Sequence, residues 1–230
     1  MDELTWPEAR EALARDPRLI LPVGALEQHG SHLPLGANTL IAERVAAALS
    51  RTVGVLRAPT FSYGVTAGSG PFAGAAGLTR KTLHRAVNEL LARWEDQGVT
   101  EFIVITAHRY EPHLEALLMA LTANATTTVY DLYQIDVRDL VEADPEAEHA
   151  GELETSLLLY LAPERVRIGL IAESGPGESA ERRYIRGRVP TPPAGTSGAV
   201  GRADIASADK GEAIFTRFVD TLAAALSSGA

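Results

Sequence analysis

Leu19-Ile20-Leu21-Pro22-Val23, closed by Gly24, is an apolar run with the length of a buried strand. A polar, His- and Gly-rich stretch follows from Glu27 to Gly36. Apolar Leu40, Ile41, Val45 and Leu49 then recur at helical spacing across residues 39–49. A strand that hands over to a helix through a loop of this composition sets the pattern for the rest of the chain.

Outward from there the alternation repeats. Upstream, residues 7–14 read as a short helix with Thr5 as its cap and Pro7 in its first turn. Downstream, residues 53–58 read as a second strand, 79–97 as an amphipathic helix and 102–106 as the most apolar strand. Residues 112–123 read as a helix, 126–132 as a strand, 152–161 as a helix ended by Ala162-Pro163, and 207–226 as a closing helix. Residues 63–77 form a loop of small residues, and 175–197, rich in Gly, Pro, Arg and Ser, a long loop or flap. Apolar strands alternating with helices predict a parallel sheet covered on both faces, in one domain over residues 1–230. Ligands of such sheets bind at the carboxyl ends of the strands.

The composition narrows the chemistry. The 230 residues include no cysteine, so thiolate metal sites, disulfides and cysteine nucleophiles are excluded, and a metal would be held by nitrogen and oxygen donors. The net charge of −9 argues against nucleic acid and anionic membrane as partners. The acidic, polar start and the lack of a long apolar run predict a cytoplasmic protein.

Three segments at expected strand or helix ends concentrate the reactive side chains. They are Glu27-Gln28-His29-Gly30-Ser31-His32, Ala107-His108-Arg109-Tyr110-Glu111-Pro112-His113, and Glu148-His149-Ala150-Gly151-Glu152-Leu153-Glu154. Of the six histidines only His84 lies outside them. Glu27 and His29, two apart, face the same side of an extended segment, and a carboxylate–imidazole set without sulfur suits zinc, manganese or iron in a hydrolytic role. His149 is placed to move a proton or orient a substrate. Arg109 and Tyr110 either line a pocket or pack against a neighbouring subunit. His32 reads as a loop-shaping residue, His84 and His113 as surface residues, and Glu152 as a solvated first-turn residue of a helix. Arg182, Arg183, Arg186 and Arg188 are either solvated surface or an anion clamp.

Leu21-Pro22-Val23-Gly24-Ala25-Leu26-Glu27-Gln28-His29-Gly30-Ser31-His32-Leu33-Pro34-Leu35-Gly36 closely resembles the signature of the creatininase (creatinine amidohydrolase) family. So does His149-Ala150-Gly151-Glu152-Leu153-Glu154-Thr155-Ser156-Leu157 with the following Ala162-Pro163-Glu164, and Thr5-Trp6-Pro7-Glu8 fits as well. The resemblance implies a three-layer α/β/α fold, a dinuclear metal centre, homo-oligomers that are often hexamers, and hydrolysis of amide bonds in small molecules or modified peptides. Carried over by motif position, Glu27, His29, His108 and Glu154 resemble metal ligands. Glu154 also resembles a catalytic carboxylate, and His149 a catalytic or substrate-binding histidine.

Three departures accompany the resemblance. The family's bridging aspartate is replaced by Asn38, a neutral amide with one carbonyl oxygen, which stands here as a weaker ligand. The two glycines and the asparagine that follow the metal histidine in the family's turn are replaced by Arg109, Tyr110 and Glu111, which become candidate substrate-binding residues. A histidine of the family's glycine-rich loop is missing from residues 68–75. Two readings follow. Retention of Glu27, His29, His108, His149 and Glu154 favours a metal-dependent amidohydrolase, with zinc first and manganese or iron as alternatives, in which water on the metal attacks the amide carbonyl. Loss of the bridging charge favours a non-hydrolytic descendant that binds or assembles.

Overall fold

The computed structural model describes residues 1–66, 72–120, 122–145, 148–174 and 197–227. Four parallel strands form one sheet: β1 (Arg18–Val23), β2 (Leu56–Arg57), β3 (Glu101–Thr106) and β4 (Thr126–Asp131), in the order β2-β1-β3-β4. The register sets Leu19 beside Leu56 and Phe102, and Val23 beside Thr106. β1 and β3 are buried at every residue but the first, as expected of strands covered on both faces.

Six helices make the outer layers: α1 (Trp6–Arg15), α2 (Ala37–Val53), α3 (Arg80–Glu95), α4 (Glu111–Leu118), α5 (Glu152–Leu161) and α6 (Ala208–Ser227). Alternation along the strands sorts the core into two halves. Ile20, Ile103 and Ile105 pack on one face with Ile41 and Val45 of α2, Leu157 of α5 and Phe218 of α6. Leu19, Leu21, Phe102 and Val104 pack on the other face with Leu13 of α1, Leu83 and Leu91 of α3, and Leu117 of α4. This is the expected three-layer α/β/α sandwich. At Gly211 a Cβ would lie 2.0 Å from the Ser156 carbonyl oxygen, so glycine is what lets α5 and α6 touch.

Helix boundaries follow local chemistry. The α1 cap is Thr5, whose backbone N–H and hydroxyl both donate to Glu8 Oε2 at 2.7 Å. Thr79 caps α3 by accepting from the Thr82 N–H. The second strand is shorter than the sequence suggests. Val53 belongs to the last turn of α2, and Gly54, at φ 74°, ends that helix in the left-handed conformation. The helix expected over 112–123 starts at Glu111 and stops at Leu118. The expected flap lies outside the described residues, apart from Ser197.

The connections define the site. From β1 the chain crosses by α2 to β2 on one side; from β2 it crosses by α3, on the opposite face, to β3 on the other side of β1. The winding therefore reverses between β1 and β3, and loops from their carboxyl ends diverge around a crevice there. The loop after β1 carries Glu27 and His29, and the turn after β3 carries His108.

Candidate metal centre and active site

A close backbone approach builds the crevice. A Cβ on Gly24 would lie 2.4 Å from Thr39 Cα and 2.3 Å from Thr39 Oγ1. The missing side chain lets the first turn of α2 sit against the end of β1, and the Thr39 hydroxyl donates to the Ala25 carbonyl at 3.2 Å. This delivers Asn38, the neighbouring residue, into the buried space between His29 and His108.

The two histidines have assignable ring nitrogens. His108 Nε2 lies 2.7 Å from the Val65 carbonyl, which only accepts, so Nε2–H donates and Nδ1 keeps its lone pair. That Nδ1 lies 3.1 Å from Asn38 Nδ2 and 3.2 Å from Glu27 Oε2. His29 Nδ1 donates to the Glu27 carbonyl at 3.1 Å, which turns Nε2 inward to Asn38 Oδ1 at 3.0 Å and Glu154 Oε1 at 3.6 Å. His29 Nε2 thus faces two further acceptor atoms, an arrangement that a cation or a proton relieves. With a proton in that place His29 titrates at about 9. Burial works against its charged form, but the Glu154 and Glu27 carboxylates outweigh burial.

Glu154 is aimed from below. The Ala150 N–H donates to its Oε2 at 2.5 Å, and the Tyr133 hydroxyl to its Oε1 at 2.9 Å. Burial raises its pKa, yet His29 and these two donors bring it below the ordinary carboxylate value. Ala150 is the described non-glycine residue with positive φ, 54°, a strained conformation spent on directing that N–H. His149 donates from Nε2 to the Gln28 carbonyl at 2.7 Å, and its ring lies against that of His29, tilted by 38° with centroids 4.5 Å apart. Ligand atoms of Glu27, His29 and His149 lie within 4.8 Å of one another. The nitrogen and oxygen donor set fits a divalent ion such as zinc or manganese.

The structure brings Glu27, His29, Asn38, His108, His149 and Glu154 into one cluster. The turn after His108 contributes less directly. The Tyr110 ring lies 6.0 Å from that of His108, and Glu111 begins α4 exposed. The Arg109 guanidinium donates to the backbone carbonyls of Tyr133 and Pro145 and lies 5.3 Å from the Tyr133 ring centroid. His32 is buried against Thr155 Oγ1 at 2.9 Å, as a loop-shaping residue would be.

Two expectations are corrected. His113 is fully buried, not at the surface: its Nδ1 accepts from the Val65 N–H at 3.2 Å, and its Nε2 donates to Thr106 Oγ1 at 3.0 Å. The Val65 backbone is therefore held at its N–H by His113 and at its carbonyl by His108. Glu152 is also fully buried, where a solvated residue was expected. It accepts from the Glu142 and Ala143 N–H groups and pairs with Lys210 Nζ at 2.5 Å. Tyr133 was missed altogether, although it lies two residues beyond β4, at the end of the sheet where ligands bind.

Comparison with known proteins settles the family. The model of the creatininase family, described as creatinine amidohydrolase, matches residues 2–226. The chain belongs to the creatininase family. Creatinine amidohydrolase of Pseudomonas putida is 29% identical over 97% of this chain and 94% of that enzyme. Mycofactocin precursor peptide peptidase of Mycolicibacterium smegmatis is 28% identical over 92% of this chain and 85% of that protein. A crystal structure of creatininase superposes with a TM-score of 0.84 at 26% identity, covering 100% of this chain and 96% of the other. The creatininase fold and the sequence resemblance thus agree along the whole chain, and its relatives are amidohydrolases acting on a small molecule or a peptide precursor. No helix among the described residues is long and apolar enough to cross a membrane.

Proposed function

We propose that this creatininase-family chain is a metal-dependent amidohydrolase that cleaves a C–N amide bond in a small molecule or a peptide. One observation carries the reading: His29 Nε2, Asn38 Oδ1 and Glu154 Oε1 face one another as acceptors in a buried crevice. Glu27, His29, Asn38, His108 and Glu154 are the residues from which the metal's ligands would be drawn, zinc first with manganese or iron as alternatives. The chemistry such an ion would supply there is polarisation of the scissile carbonyl and a water of pKa about 7.

The chain's own residues supply the rest. Tyr133 and the Ala150 N–H hold Glu154 in one orientation. His149 keeps the Nδ1 lone pair available because Nε2–H is committed to Gln28, so it would take a proton from the attacking water and pass it to the leaving nitrogen. Tyr110, with Arg109 and Glu111 behind it, forms the wall that contacts the substrate. Bulk in this turn favours a substrate other than creatinine, and the homo-oligomer, a hexamer being one form, would complete the wall.

The test is elemental mass spectrometry on protein purified without chelator, paired with hydrolysis assays on creatinine, other cyclic amides and short peptides. Metal lost together with activity in a Glu27→Ala, His29→Ala variant supports the reading. A metal-free chain that takes up neither zinc nor manganese overturns it in favour of a binding or assembly role.

A further inference from the structure

The two faces of the Asn38 amide are not equivalent. On one side Nδ2 lies 3.1 Å from His108 Nδ1 and 3.4 Å from Glu27 Oε2, two acceptors, so its two N–H groups satisfy both. On the other side Oδ1 joins His29 Nε2 and Glu154 Oε1. A carboxylate would present an oxygen to each side; an amide presents an oxygen to only one, whichever way it is turned. In the orientation observed, Nδ2 faces the His108 side, where the Val65 carbonyl claims the His108 Nε2–H and leaves Nδ1 as an acceptor.

Charge gives the same answer independently. The cluster holds two carboxylates, Glu27 and Glu154, and nearby Asp131 spends its oxygens on the Tyr133 N–H and on Gln134. One divalent ion balances two carboxylates. Two would set four positive charges against two ligand carboxylates in a buried crevice, an unfavourable balance at low dielectric.

We infer that this chain binds a single divalent ion, on the His29–Asn38 Oδ1–Glu154 side of the cluster, and that the Asn38 amide group occupies the place of a second ion between Glu27 and His108. The inference rests on the metal-hydrolase reading above and gives it a stoichiometry. The His108 side then serves as a hydrogen-bonding wall of the crevice, with the Glu27 carboxylate in it.

The full-length chain, stripped with chelator, would be titrated with Co²⁺, following visible absorption, and its zinc content after dialysis measured by elemental mass spectrometry. The expected result is a break at one ion per chain for the native protein and at two for Asn38→Asp, with His29→Ala abolishing uptake and His108→Ala retaining it. Two ions in the native protein overturn the inference while leaving the hydrolase reading intact. One ion in both native and Asn38→Asp proteins overturns the role of Asn38. No ion in any form overturns the hydrolase reading itself. Thermal unfolding checks that each variant folds. If Asn38→Asp does not fold, the two histidine variants decide: loss of the ion in His108→Ala with retention in His29→Ala overturns the placement.

Discussion

Glu152 and Glu154 lie two residues apart in the first turn of α5, and both are buried. Two residues of helix turn them about 200° apart, onto opposite sides. Glu152 faces Lys210 at 2.5 Å and two backbone N–H groups, so its charge is neutralised within the chain. Glu154 faces His29 and Asn38 Oδ1, with hydrogen bonds that orient its oxygens, and the one cation beside it is an imidazole whose proton a metal ion can replace. A buried carboxylate with its counterion supplied is a piece of architecture. One whose only charged partner is a titratable imidazole is what the metal-ligand proposal requires.

The sharpest way to break that comparison is to remove each carboxylate in turn. Glu154→Ala is expected to abolish divalent-ion retention and hydrolysis while the chain stays folded, as read by elemental mass spectrometry and circular dichroism. A fully active Glu154→Ala protein would refute its assignment as a ligand. Lys210→Met strands the Glu152 charge and is expected to destabilise the fold by about 3 kcal/mol, the lower end for a broken buried pair because the ammonium is partly exposed. Chemical denaturation measures this. Adding Glu152→Leu should recover most of the loss, and metal content should be unchanged throughout.

Smaller effects sharpen the same contrast. Tyr133→Phe removes the hydroxyl that orients Glu154 Oε1 and is expected to weaken metal affinity by about 10–100-fold without a comparable loss of stability. An affinity equal to that of the native chain would make Tyr133 merely a packing residue. The smallest effect concerns His113. Burial, reinforced by His108, pushes its pKa well below 6.5, so the folded state holds it neutral. The unfolded chain then binds the proton more readily, and this contribution to stability is present above pH of about 6.5 and declines as pH falls below it. His113→Gln should flatten that decline in Tm, and an unchanged acid profile would contradict the burial argument.

The same contrast explains what was legible in the sequence. Leu19–Val23 and Phe102–Thr106 read as buried strands because apolar runs of strand length have one stable destination, and both strands are where they were expected. Glu27, His29, His108 and Glu154 were readable from residue type, motif and position at strand and helix ends. Glu152 and His113 were misread because local pattern describes a residue's own helix, not what packs on it. Lys210 lies 58 residues beyond Glu152, and Val65 lies 48 before His113. Tyr133 was passed over because a tyrosine after a strand carries no motif of its own.

The sequence by itself determined the parallel α/β architecture, the exclusion of sulfur ligands, the acid–imidazole inventory and the neutral Asn38. These follow from composition and period, which short-range sterics and the hydrophobic effect translate directly into elements. Only the tertiary structure decided that Gly24 lets α2 deliver Asn38 between two histidines, that the Val65 carbonyl selects the tautomer of His108, and that of two neighbouring glutamates one is neutralised and the other left open. Those outcomes depend on which polar groups meet across the sheet, and hydrogen-bond satisfaction in a buried site is a property of the whole fold.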